Sequence, residues 1–368
     1  MFKKLSERRL LLMMLVLIVL ASACMADGTP RNIILLIGDG MGIGHITAAR
    51  CEGPGPNGRL AMDTMPITGL VLTHPANALV TDSAAAGTAL ATGVKTNNGI
   101  ISMAPDGKRL KTILELAEEK GKSTGIISTK SITDATPAVF VAHVINRSQK
   151  EDIAIQMISS RVNVILGGGK KYFLPQSEGG SRADGRNLLD EAKKRGYDVF
   201  DTTDAMKQST SKLIIGLFAQ DSMLNQPSEP TIAEMTAKAI SALAKNGKGF
   251  FLMSEGAKID TESHGNNAVG MTKETLWFDD AVHTALDFAK KDKSTLVIVT
   301  ADHETGGLAV LDPDSDAPKF KAGWVSKGHS ANMVPVYAFG PSADRFSGTH
   351  DNTDIPKTFA GLWGQKLN

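Results

Sequence analysis

Apolar residues in this chain gather in short unbroken runs instead of alternating with polar ones. Residues 32–37, 69–73, 124–128, 162–166, 250–254, 295–299 and 333–339 each read as such a run. A continuous apolar stretch of this length, bounded by turn residues, is the pattern of a strand buried on both faces. Helical patterns lie between the runs. They cover residues 46–50, 83 to a stop at Gly93, 112–120 with Gly121 as cap, 137 to about 147, 232–245 and 273–290. In the last of these, Leu276, Trp277, Val282, Leu286 and Phe288 read as a core face. Residues 170–230 are more polar and loopy, with one helix near 188–195, and read as an insertion. Strands alternating with helices predict an α/β fold. The expected architecture is a doubly wound, mostly parallel central sheet with helices on both faces, a three-layer α/β/α sandwich.

The N-terminus breaks this pattern. Lys3, Lys4, Arg8 and Arg9 precede an apolar stretch over residues 10–20, followed by Ala21-Ser22-Ala23-Cys24-Met25-Ala26. A basic segment, a short apolar segment and small residues read as a secretory signal over residues 1–26, too short for a comfortable membrane span. Ala21-Ser22-Ala23-Cys24 also resembles a bacterial lipobox, which would leave Cys24 as a lipid anchor. The expected location is exported, either periplasmic or as an outer-membrane or surface-anchored lipoprotein. Residues 27–368 then form a single catalytic domain with the insertion around 170–230. Cys24 and Cys51 are the two cysteines, so an intrachain disulfide is not expected. Cys51 reads as a core filler or loop thiol. With a net charge of +1, the composition does not point to nucleic acid.

Candidate chemistry sits where the runs end. Residues 295–299 lead into Thr300-Ala301-Asp302-His303, residues 32–37 into Gly38-Asp39-Gly40-Met41-Gly42, and residues 250–254 into Glu255, with Asp260 and His264 just beyond. In parallel sheets, ligands gather beyond the carboxyl ends of the strands. One strand-end Asp-His is also what a helix cap beside a satisfied histidine looks like. Three strand ends that bring carboxylates to one edge need cations among them, and imply a multi-metal centre. A second motif, Thr81-Asp82-Ser83-Ala84-Ala85-Ala86-Gly87, places Asp82 as N-cap of a helix and Ser83 in its first turn. Free backbone N–H groups there favour a phosphate, although such a serine is often only a cap.

Taken in order, these motifs resemble those of the bacterial alkaline phosphatases over nearly all of the chain after the signal. The segment 32–42 is similar to the family's first strand and bridging aspartate, and Thr81-Asp82-Ser83-Ala84 to its phosphoserine motif. Asp134-Ala135-Thr136-Pro137 with Arg147 is similar to its magnesium segment and phosphate-binding arginine. Glu255, Asp260, His264, Asp302-His303 and Gly328-His329-Ser330 match further metal segments. The resemblance implies two zinc ions and one magnesium. One zinc would take Asp260, His264 and His329, and the other Asp39, Asp302 and His303. Magnesium would share Asp39 and take Thr136 and Glu255, with Asp134 holding one of its waters. Ser83 would form a phosphoserine from small phosphate monoesters while Arg147 grips the phosphoryl oxygens. A homodimer is implied too.

Three positions depart from some members. Thr261 stands where several carry a longer side chain, which predicts weaker phosphate binding. Thr305 replaces a second histidine, so an outer contact to the metal shell is expected to be missing. Asp134 is the acidic variant of a position that is histidine elsewhere, which favours magnesium there. The competing readings are a phosphodiesterase of the same superfamily and a non-catalytic, metal-stabilised surface binding protein. The intact nucleophile and ligand set argue against the second. His45, His74, His143, His283 and His350 fall on no family metal position, and His143 is expected within a helix.

Overall fold

The computed structural model describes residues 28–314 and 319–368. The predicted signal segment and Cys24 lie outside the described residues. Among the described residues, no helix is long and apolar enough to cross a membrane.

The strands are β1 (Asn32–Gly38), β2 (Ile67–Leu72), β3 (Ser123–Ser131), β4 (Val164–Gly168), β5 (Asp198–Phe200), β6 (Ile214–Leu217), β7 (Phe250–Gly256), β8 (Thr295–Thr300), β9 (Glu304–Thr305), β10 (Ala309–Leu311), β11 (Lys321–Gly323), β12 (His329–Ser330), β13 (Val334–Phe339) and β14 (Gly348–Asp351). Ten of them build one sheet in the order β14-β2-β13-β8-β1-β7-β3-β4-β6-β5. All its pairings are parallel except those of β13, which runs against both β2 and β8. Helices cover the sheet, as the apolar runs predict. β1 and β7 are buried along their whole length. The helices Ile232–Leu243 and Ala268–Asp292 pack on each other and on the sheet. Val282 and Leu286 are buried, while Leu276, Trp277 and Phe288 pack against the core from its rim.

Three sequence expectations change. The helix opened by Pro137 is only Ala135–Ala138, so His143 lies in irregular chain and Arg147 in a turn, neither on a helix. The segment 170–230 is more ordered than its polarity suggests, because β5 and β6 extend the parallel sheet at one edge. The run ending at Phe339 is neither the last strand nor a parallel one, since β14 follows and pairs parallel with β2. Cys51 is partly buried near the end of the helix Ile43–Glu52 and free.

Register positions the site. In β1, Ile37 pairs with Glu255 of β7 on one side and with Thr300 of β8 on the other. Glu255 in turn pairs with Ser128 of β3. β1, β7 and β8 therefore end within one residue of one another, and β3 runs on three residues past Ser128. Asp39 and Asp302 each follow two residues after the paired positions, which brings four chain segments onto one edge. Gly40 makes this convergence possible. Its φ of +74° favours glycine, and a Cβ there would stand 2.9 Å from the Cα of Asp260 and 2.7 Å from Thr305 Oγ1.

Candidate active site

The helix Ser83–Thr92 begins at the sheet edge. Asp82 caps it by accepting from Ala85 N at 2.9 Å, and Gly93 ends it in the left-handed conformation with φ of +72°. The cap leaves Ser83 buried in the first turn with Oγ 3.2 Å from His303 Nε2. That nitrogen lies 3.2 Å from Asp302 Oδ2 and 3.4 Å from Asp39 Oδ1. Asp302 Oδ1 accepts from the backbone N–H groups of Gly40 at 3.2 Å and His303 at 3.0 Å. Its other oxygen, like Asp39 Oδ1, is buried without a hydrogen-bond partner.

A second convergence adjoins the first. His264 Nε2 is 3.1 Å and His329 Nε2 3.4 Å from Asp260 Oδ1, and the two nitrogens are 3.2 Å apart. Each imidazole bonds a backbone carbonyl through Nδ1, His264 to Lys327 at 2.5 Å and His329 to Thr81 at 2.8 Å. A carbonyl only accepts, so Nδ1 carries the proton and Nε2 is free to act as a ligand. Two sets of donors approach closely enough to share one cation each: Asp39, Asp302 and His303, and Asp260, His303 and His329. His303 faces both, its ring stacked on that of His329 with centroids 3.5 Å apart.

Glu255 lies at the end of β7 beside β1, and Thr136 is buried in the short helix Ala135–Ala138. Glu255 accepts from Ser128 Oγ at 2.5 Å, and Thr136 Oγ1 is buried without a partner. Asp134 takes the Arg147 guanidinium at 3.4 Å, with Lys150 at 3.9 Å. Arg147 also donates to Asp82 at 3.1 Å, and its backbone N–H bonds Gly99 O at 2.8 Å. These bonds hold its fork in place without a helix.

The electrostatics agree with a cation site. Burial, reinforced by Asp302 and Asp260, raises the Asp39 carboxyl well above the usual range. Burial pushes Glu255 up to about 8 against the bond from Ser128. Asp260 goes the other way: burial acts to raise it, but bonds from protonated His264 and His329 outweigh that and hold it well below the usual range. A cation in place of those protons meets the same atoms as ligands. Buried oxygens without a hydrogen-bond partner on Asp39 and Asp302, which converge with His303, and on Thr136 fit metal ions. The mixed nitrogen and oxygen sets suit zinc, and the all-oxygen set suits a hard cation such as magnesium.

Thr305 corrects one expectation. Its hydroxyl donates to Asp260 Oδ1 at 2.7 Å and lies 3.3 Å from His303 Nδ1, so the outer contact is made by threonine instead of being lost. Thr305→Val should weaken metal retention roughly tenfold or more, measured by competition with a chelator. Unchanged retention would make the contact incidental. His45 is buried, accepts from Gly42 N at 3.1 Å and is pushed down to about 4 mainly by burial. None of the five histidines set aside from the sequence belongs to either donor set. Sequence reasoning missed Lys130, whose Nζ lies 3.5 Å from Asp260 and 3.8 Å from Asp39.

Comparison with known proteins agrees with the geometry. The alkaline phosphatase family model matches residues 30–317 and 309–363. Alkaline phosphatase 4 of Bacillus subtilis is 37% identical over 88% of this chain and 87% of its own. The alkaline phosphatase of Escherichia coli K12 is 37% identical over 93% and 88%. The structure of alkaline phosphatase from the Antarctic bacterium TAB5 superimposes with a TM-score of 0.84 at 34% identity, covering 92% of this chain and 99% of that one. A histidine-to-aspartate variant of that enzyme, with magnesium bound at one of its metal sites, superimposes with a TM-score of 0.83.

Proposed function

Because the chain belongs to the alkaline phosphatase family, we propose that it hydrolyses phosphate monoesters to an alcohol and inorganic phosphate through a phosphoserine at Ser83. The observation that carries this reading is Ser83 Oγ at a helix N-terminus, 3.2 Å from His303 Nε2 and beside orphaned oxygens of Asp39 and Asp302. Asp260, His264 and His329 would hold one zinc, and Asp39, Asp302 and His303 a second. Asp39, Thr136 and Glu255 would hold magnesium, with Asp134 at one of its waters. The aspartate at position 134 and the magnesium-bound aspartate variant of the TAB5 enzyme support that choice. When bound, the ions supply Lewis-acid stabilisation of the attacking and leaving oxygens.

The chain's own groups do the rest. The helix N-terminus and the buried setting favour a phosphoryl group over Ser83. Ser83 Oγ attacks phosphorus in line as the P–O bond to the alcohol breaks, and its proton ends on the departing alcohol oxygen. Water then attacks the phosphoserine, releasing inorganic phosphate and restoring the hydroxyl. Asp82 and Asp134 aim Arg147, whose planar fork matches two non-bridging oxygens.

The test is kcat/KM for a monoester and a diester with the same leaving group, before and after Arg147→Ala. The monoester should be strongly preferred and should lose roughly 10²-fold in the variant, with a smaller loss for the diester. A diester preference would favour the phosphodiesterase reading, and no turnover of either would favour the binding protein. A homodimer and export, free or lipidated at Cys24, complete the proposal. Exposed Ile43, Leu72 and Met333, near a cleft lined by Leu70, Leu308 and Val310, support the dimer. Sedimentation and intact mass of the exported protein check both.

A further inference from the structure

We propose that Lys130 is a second phosphate-holding cation of this site, reaching from the end of β3 the ground that Thr261 leaves uncharged. The inference rests on the phosphatase reading above. Lys130 is the penultimate residue of β3, and its side chain is 17% exposed. Its backbone N–H donates to Ser128 Oγ at 3.1 Å, which steadies the strand end beside Glu255. Nζ reaches Asp260 Oδ2 at 3.5 Å and Asp39 Oδ2 at 3.8 Å, both long for an ammonium that carries three donors. The group is thus aimed into the cluster without being satisfied by either carboxylate.

A fixed positive charge there makes little sense as a mere neutraliser. Asp39 and Asp260 belong to the donor sets that would hold dications, and an ammonium beside those ions repels them. An anion arriving between the ammonium and the ions removes that conflict. Arg147 lies 3.4 Å from Asp134, and Lys130 also acts on Asp134. With Lys150 at 3.9 Å, three cations act on this one carboxylate, and the excess of positive charge makes a phosphate-sized anion the natural guest. Thr261, on the helix Lys258–His264, is exposed and too short to share this work. The weaker phosphate binding expected from Thr261 alone is therefore reversed: Lys130 restores the grip, and product phosphate leaves more slowly.

The test is calorimetric binding of inorganic phosphate to the metal-loaded enzyme, with zinc and magnesium content measured on the same samples. Lys130→Met should weaken phosphate about tenfold, as loss of one charged hydrogen bond does, with metal content unchanged. Lys130→Arg should keep part of the affinity. Thr261→Lys placed in the Lys130→Met background should restore it, an outcome a purely structural role would not produce. Unchanged phosphate affinity in Lys130→Met, or a loss that tracks a loss of metal, overturns the proposal. If Lys130→Met does not fold, Lys130→Gln is read in the same way. Failure of the unmodified, metal-loaded enzyme to bind phosphate at all would instead refute the phosphatase reading.

Discussion

Ser83→Ala lowers kcat/KM for a phosphate monoester by roughly 10³-fold or more and abolishes acid-stable incorporation of labelled phosphate into the protein. The hydroxyl lies in the first turn of its helix, 3.2 Å from His303 Nε2. Alanine keeps the helix, because Asp82 and not Ser83 provides the cap. It also keeps the buried volume nearly constant, so fold and metal content should survive. Residual turnover would come from direct attack by water on a substrate still held by Arg147. Rapid-quench measurement of the labelled intermediate checks the assignment. A variant retaining more than about a tenth of the activity would remove Ser83 from the role of nucleophile.

Chelation gives the second large effect, in stability as well as turnover. Ions that bind the folded chain and not the unfolded one stabilise it by about 4 kcal/mol at a thousandfold excess over Kd. Their removal should therefore lower Tm by roughly 10 °C. The pH dependence should change with it. Burial raises Glu255 to about 8 from an ordinary 4.5, and burial with Asp302 raises Asp39. A raised carboxyl stays protonated in the folded chain while the unfolded chain releases its proton. In the metal-free protein this contribution is fully present below about pH 4.5 and is lost as pH rises towards 8. The loss amounts to a few kcal/mol on the order-of-magnitude scale of such shifts. With metals bound the carboxylates are already ionised and paired, so that decline should vanish. Calorimetry of metal-free and metal-loaded protein from pH 5 to pH 8 distinguishes the two. Identical pH slopes would mean that Asp39 and Glu255 hold no cation.

Much of this was legible in the chain before folding. The apolar runs locate the central strands because a strand buried on both faces must be apolar throughout, whatever its neighbours are. Asp82, Ser83 and Gly93 mark a helix from cap to terminator because those signals act within one or two turns. The residues after β1, β7 and β8 name candidate metal donors, since parallel strands deliver their carboxyl ends to a common edge. Where the reading failed, it failed on longer reach. The pattern after Pro137 looked helical to Arg147, yet the chain turns at Val139 to carry Arg147 against Gly99 and Asp82. Polarity made 170–230 look like a loop, although an edge strand can be short and still pair.

The sequence by itself determined the central strands, the capped helix of Ser83, the candidate donor types and the family, because each is written in local period, turn chemistry or an ordered string of motifs. Only the tertiary structure decided that Thr305 serves Asp260, that β13 runs against its neighbours, and that Lys130 points at Asp39 and Asp260. Strand order and register set those contacts between residues up to 130 positions apart. No local pattern carries that information, since a lysine at a strand end has the same sequence signature whether it meets solvent or a cluster of carboxylates.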